Sequence, residues 1–372
     1  MTAKAHARAE TKPAKKKESS TPQPAKKRDA PAKPSQAPLA RAPAPKPVVA
    51  PAKPSKAPLA RAPAPKPVVA PTKKPVTPPS SGKKALKLVS TIKDMRKIVA
   101  EVRRAGRKVA LVPTMGALHE GHLTLVRAAS QKADFVVVSL FVNPTQFGPQ
   151  DDFDRYPRDL AGDRKQLGEV GGDVLFAPET TEIYPEGFQT YVTVTDLTKD
   201  YCGAMRVGHF RGVATVVCKL LNVVQPDLAL FGEKDYQQLS TIKQMVRDLN
   251  LDVEILGIPT VREEDGLAMS SRNAYLSPDQ RQQAAAIHRA LRKAKRLAVE
   301  EGERDAAELG MAVTELLREQ QGMTIEYVVV CDASTLERLV EVVDDAVILV
   351  AVKLGDTRLI DNIRLDLRKK RD

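Results

Sequence analysis

The sequence predicts an α/β protein: a Rossmann-like doubly wound parallel sheet, a smaller α+β domain after it, and a disordered tail in front. Three observations predict this. From residue 85 to about 261, short apolar strands alternate with helical stretches. After 261 the order changes to two helices followed by three strands. Before 85 the chain is built of Lys, Ala and Pro and has no apolar periodicity.

The tail holds 19 of the 28 prolines and a tandem repeat. Residues 31–50 read PAKPSQAPLARAPAPKPVVA, and 51–70 repeat them with Gln36 replaced by Lys56. Alternating Ala and Pro favours solvated polyproline II, so residues 1–84 are expected to form an extended tether without a core. The tail also explains the net charge of +13. It carries 20 Lys and Arg against 3 acidic residues, leaving 39 basic and 43 acidic residues for 85–372. A basic tail can contact polyanions, but it lacks the aromatic interleaving that stacking nucleic-acid readers need.

The ordered region is expected to span 85–261 and 262–372. Ile92, Met95, Val99 and Val102 place a helix over 91–105, stopped at Gly106. Lys108–Val112 reads as the first sheet strand, and 120–132 as a helix. Phe135–Val142 is apolar on both faces, as a central parallel strand should be. Further strands are expected at Asp173–Phe176, Tyr191–Val194, Asp227–Phe231 and Val253–Ile258, with helices over 154–168, 208–224 and 235–249. In the second region, helices over 278–301 and 304–320 precede strands at Thr324–Asp332, Ala346–Val352 and Arg358–Arg364. The last two strands are close enough to form a hairpin.

Cys202, Cys218 and Cys331 are odd in number and show no metal-like spacing, which suggests reduced thiols in a cytoplasmic protein. No apolar stretch reaches the roughly 20 residues that span a bilayer. A secretory leader is not expected, because no apolar segment follows the basic N-terminus.

Four segments could carry chemistry. Pro113-Thr114-Met115-Gly116-Ala117-Leu118-His119-Glu120-Gly121-His122 joins a strand to a helix, where open α/β sheets bind ligands. A helix start offers free N–H groups and positive potential to phosphate. His119 and His122, three apart, share a helical face and can donate to phosphate oxygens. A zinc site is disfavoured, since the protease motif needs histidines four apart and no third ligand is evident. Phe231-Gly232-Glu233-Lys234-Asp235 adds a lysine at the end of another strand. Met269-Ser270-Ser271-Arg272-Asn273 offers two hydroxyls and a guanidinium. Asn143-Pro144-Thr145-Gln146-Phe147 and Gln238 supply neutral amides able to position a polar substrate.

Taken in their order along the chain, the four segments resemble pantothenate synthetase, over roughly residues 86–367. The first and third segments taken alone would mark only the wider nucleotidyltransferase superfamily. The resemblance implies condensation of pantoate with β-alanine, using ATP and magnesium and releasing AMP and pyrophosphate from a pantoyl adenylate. It implies an ATP site formed by Met115, Gly116, Ala117, Leu118, His119, Glu120, Gly121 and His122. Gly232, Glu233, Lys234, Asp235, Val261, Met269, Ser270, Ser271 and Arg272 complete that site. His122 is the implied proton donor and His119 a phosphate ligand, with Lys234 and Arg272 stabilising charge. Gln146 and Gln238 are implied to hold pantoate, Gln146 also to meet β-alanine, and Asp163 and Gln166 to contact magnesium. A homodimer is implied as well. Met205 and Val207 stand where relatives often have Ser and Pro, and the tail has no counterpart in the family core. Activation of another acid, or dinucleotide synthesis, is the alternative on the same fold.

Overall fold

The computed structural model describes residues 86–149 and 151–367. The tail expected over 1–84, with its repeat and its polyanion contacts, lies outside the described residues. The described residues all lie in one compact unit.

Six parallel strands form the first sheet: β1 (Lys87–Val89), β2 (Val109–Thr114), β3 (Phe135–Leu140), β4 (Val174–Phe176), β5 (Leu228–Gly232) and β6 (Glu254–Ile258), in the order β1-β4-β3-β2-β5-β6. Winding proceeds outward from β2 through β3 and β4, then returns to place β5 on the other side. The switch point therefore lies between β2 and β5, the position where such sheets bind ligands.

Alternation within the strands builds two cores. Val109 and Leu111 of β2 face a cluster with Met95 and Val99 of α1 (Ile92–Arg104) and residues of the later long helices. Ala110 and Val112 face the other way, against Leu125, Val126 and Ala129 of α2 (Glu120–Ser130) and Leu167 of α3 (Leu160–Val170). Two short helices, α4 (Thr180–Ile183) and α5 (Cys202–Met205), precede α6 (His209–Val224) and α7 (Tyr236–Asp248).

The second sheet is antiparallel, with order β7 (Met323–Asp332), β8 (Asp345–Leu354) and β9 (Thr357–Asp366). Ile348, Val350 and Val352 of β8 pack in a cluster with residues of α9 (Ala286–Arg296) and α10 (Ala306–Arg318), which follow α8 (Pro278–Ala284). Val347 and Leu349, on the opposite face, pack near Leu197, Tyr201 and Tyr236. Tyr236 donates to the Ala333 carbonyl at 2.8 Å, and Tyr201 to that of Leu336 at 2.9 Å. The small sheet is thus buried on both faces.

Several expectations shift. Tyr191–Val194 forms no strand. Val192 and Val194 pack beside the core, and the Val192 N–H donates to the Thr215 hydroxyl at 2.9 Å rather than to a ladder. β1, three residues long, was not expected. The 154–168 helix starts later, at Leu160, where Asp159 caps it by accepting from the Gly162 N–H at 2.9 Å. The long 278–301 helix is interrupted after Ala284 and closes in a wide turn, Leu297–Glu301, ended by Gly302. No helix among the described residues is long and apolar enough to cross a membrane.

Candidate active site

The loop after β2 is tightly held. Gly116 and Ala117 both have positive φ, 88° and 50°. A side chain at Gly116 would put a Cβ 3.1 Å from Leu140 and from the Asp163 carboxylate on a backbone of positive φ, so any substitution there is strained. Asp163, 2% exposed, accepts from the N–H of Ala117 at 3.0 Å and of Leu118 at 2.7 Å. Burial pushes its carboxyl above the usual range despite those two bonds. Asp163, the residue of the expected magnesium contact with Gln166, is bonded here to the loop backbone, and among the described residues no group of three or more His, Cys, Asp and Glu side chains could hold a metal.

The loop delivers His119 to the start of α2. His119 caps the helix, its Nδ1 accepting from the Gly121 N–H at 3.2 Å. His122 reaches back, its Nδ1 lying 3.4 Å from the N–H of His119. Each ring therefore holds a lone pair at Nδ1 and turns an Nε2–H outward. The ring centroids are 4.1 Å apart. Burial, with the Lys234 charge beside it, lowers the His119 pKa to about 4. Burial and His119 lower that of His122 to about 3. Both imidazoles are therefore neutral at neutral pH, and His122 can donate only through its Nε2–H.

A cavity of about 230 Å³ brings the expected residues together. Met115, His119, Gly121 and His122 line it from the β2 side, and Gly232, Lys234, Asp235 and Gln238 from the β5 side. Gln146, Val261, Met269, Ser270, Ser271 and Arg272 complete it. Ala117 takes part through its backbone, its carbonyl accepting from the Ser271 hydroxyl at 3.2 Å. Gly116 and Leu118 are buried behind the loop. Glu120 points away, exposed and paired with Arg127. Glu233 is absent from the lining.

Neighbouring glutamines divide their tasks. Gln237 is buried and ties down the 197–202 segment, accepting from the Cys202 N–H and donating to the carbonyls of Leu197 and Asp200. Gln238, one residue on, faces the cavity. Gln146 is 7% exposed and accepts from the Asn143 amide at 3.0 Å, while its own Nε2 lies 3.1 Å from the Met115 sulfur.

The expected cations are anchored. Burial opposes ionisation of Asp235, but the Lys234 and Arg272 charges hold its carboxyl below the usual range. Arg272 makes a two-pronged ion pair with Asp152, at 2.7 and 3.0 Å. Asn362 of β9 donates to the carbonyls of both Glu233 and Lys234, at 2.8 and 2.9 Å. The antiparallel sheet thereby grips the lysine turn. Sequence reasoning missed Asp151, Asp152, His209 and Asn362. The only signal for them was the Gly208-His209-Phe210 string and the paired aspartates after Gln146.

A neutral histidine pair and a lysine turn, set across the switch point of a parallel sheet, define the class: an α/β enzyme built around an anionic ligand. The family described as pantoate-beta-alanine ligase matches residues 87–364. A pantothenate synthetase of Moorella thermoacetica is 53% identical over 282 residues, 76% of this chain and 99% of that protein. A crystal structure of the Thermus thermophilus pantothenate synthetase is 48% identical, with TM-score 0.72, covering 76% of this chain and all of that one. A Francisella tularensis pantoate-beta-alanine ligase, complexed with beta-gamma ATP and beta-alanine, is 34% identical with TM-score 0.63, over 75% and 97% of the two chains. The chain belongs to the pantoate–beta-alanine ligase family. It is a carbon–nitrogen ligase, and the family's activity is the formation of pantothenate.

Proposed function

We propose that the chain joins pantoate to β-alanine through a pantoyl adenylate, releasing AMP and pyrophosphate. One observation carries this reading: two neutral histidines, a lysine and two amide side chains line the same cavity. A carboxylate alone does not acylate an amine, because its leaving group would be oxide. Adenylation replaces that group with AMP.

In the first step a pantoate carboxylate oxygen attacks the α-phosphorus of ATP, and the bond to the bridging oxygen of pyrophosphate breaks. His119 and His122 donate their Nε2–H groups to phosphate oxygens as charge builds there. Lys234 and Arg272 add positive charge. Such neutral donors at a helix start need no proton transfer to act, and they are held in place by the capping bonds before substrate arrives. Arg272 reaches the nucleotide by exchanging Asp152 for phosphate. Gln146 and Gln238 hold pantoate, and Gln146 also meets β-alanine. In the second step the neutral amine attacks the acyl carbon, the C–O bond to AMP breaks, and the amine's proton is lost. No cysteine or serine nucleophile is required.

Residues 262–372 serve as a lid that keeps water from the adenylate. The Francisella complex supports ATP and β-alanine as ligands of this fold. Magnesium enters with the nucleotide, in the manner usual for an ion held mainly by substrate phosphates. A homodimer in the cytoplasm completes the reading. Product analysis tests it: with pantoate, β-alanine and ATP, AMP and pyrophosphate should form in equal amounts with pantothenate. Formation of ADP and phosphate instead would overturn the adenylate route.

A further inference from the structure

One buried histidine has no task in these steps. His209 opens α6 and is 9% exposed. Both of its ring nitrogens are occupied. Nδ1 lies 2.8 Å from the Gln146 carbonyl oxygen, and Nε2 lies 3.1 Å from Nη1 of Arg206. A carbonyl only accepts and a guanidinium only donates. The ring must therefore carry its proton on Nδ1, donate to Gln146 and accept from Arg206. Burial and the Arg206 charge lower its pKa to about 4, in keeping with a neutral ring.

The chain of bonds closes on itself. Arg206 Nη2 donates to Asp151 at 2.8 Å, and the same carboxylate oxygen accepts from the Gly148 N–H at 2.8 Å. Gly148 lies two residues beyond Gln146, so the ring runs Gln146, His209, Arg206, Asp151 and back to the same turn. A second tie runs beside it, with the Asn143 amide donating to the Gly212 carbonyl of α6 at 3.1 Å. The Gln146 side chain is left to face the cavity, flanked by Asn143 and Met115.

We infer that His209 is a positioning residue that, with Arg206 and Asp151, fixes the Gln146 turn and so sets affinity for the acid substrate. This rests on the reading of Gln146 as a pantoate ligand. His209 is not a proton carrier for the reaction, because neither ring nitrogen is free to meet a substrate atom. It acts through the backbone of another residue, and its effect should therefore appear in one substrate's binding.

The test uses the full chain and measures KM for pantoate and for ATP separately. His209→Phe keeps the ring's bulk and removes both nitrogens. Its pantoate KM should rise about tenfold, the scale of one lost buried hydrogen bond, with ATP KM within about twofold. His209→Asn keeps a donor near the Nδ1 position and should recover most of the loss. In a Gln146→Ala background, His209→Phe should add nothing further to the pantoate KM, since interacting sites are not additive. Asp151→Ala removes the acceptor at the far end of the same ring and should raise the pantoate KM in the same direction, which covers a poorly folding His209→Phe. Equal rises in both KM values, additivity with Gln146→Ala, or no change would each overturn the inference. A wild-type chain indifferent to pantoate would overturn the substrate reading itself. Pantoate dependence with unmoved His209 variants would overturn this inference alone.

Discussion

His119 and His122 are fixed by the backbone they cap, and their chemistry follows from that. With Nδ1 of each ring accepting an N–H, only Nε2–H faces the cavity. Their pKa values, about 4 and about 3, place protonation far below neutral pH. The free-enzyme pH profile of kcat/KM for adenylation should therefore show no acid limb from this pair above about pH 5, as read from exchange rates between pH 5 and 8. An inflection near 6.5 that vanishes in His122→Gln would contradict a neutral pair. His122→Ala should lower the exchange rate by about a hundredfold or more, the usual loss for one well-placed donor. The spacing of three between the histidines showed that they share a face. Their protonation state was not legible, because it depends on burial and on Lys234, brought from a strand more than a hundred residues away. Glu120 shows the same limit. It sits inside the motif, yet it turns outward to Arg127.

At the level of elements, two contacts place the site, and each can be broken singly. α6 crosses the Asn143–Phe147 turn so closely that a Cβ on Gly212 would sit 2.4 Å from the Thr145 carbonyl oxygen. Gly212→Ala should cost about 1–3 kcal/mol of stability by overpacking, seen as a lower denaturant midpoint, and should also weaken pantoate binding. An unchanged midpoint would mean that the helix can retreat without cost. Asn362→Leu would leave the Glu233 and Lys234 carbonyls without their β9 partner, at about 1–3 kcal/mol for each buried group left unsatisfied. Its ATP KM should rise more than its pantoate KM. The strands β2 to β6 and β7 to β9 were legible as apolar runs set between helical stretches and turns, even where, as in β4, the run is three buried residues. β1 is as short but has two of its three residues exposed, so it presents no such run. Tyr191–Val194 carried the pattern of a strand, but Val192 and Val194 pack as a coil segment beside α6. Contacts such as that of Asn362 pair residues more than a hundred positions apart, and no local pattern announces them.

Across the whole molecule, His119, His122 and His209 share one property: each has a folded-state pKa below its unfolded value of about 6.5. The unfolded chain therefore binds protons that the folded chain refuses. The stability these neutral rings contribute is present above about pH 6.5 and is lost as pH falls toward 4. Each contributes up to about 1.4 kcal/mol per pH unit in that window. Denaturant unfolding at pH 7 and pH 5 should show a clear loss, and His209→Phe should flatten the slope. An equal slope in that variant would count against a buried neutral ring at 209. The overall charge of +13 comes from residues 1–84. A chain lacking them should keep its turnover within about twofold, since every cation assigned above belongs to 85–372 and surface charge acts at range mainly on encounter.

The central claim is that a pantoate carboxylate attacks the α-phosphorus of ATP in the cavity shared by His119, His122, Gln146 and Gln238. Isotope exchange tests it most directly: labelled pyrophosphate is incubated with the protein, ATP and magnesium, with β-alanine left out. Label should enter ATP only when pantoate is present, and at a rate that saturates with pantoate. Exchange that proceeds equally without pantoate, or that requires β-alanine, would contradict the account.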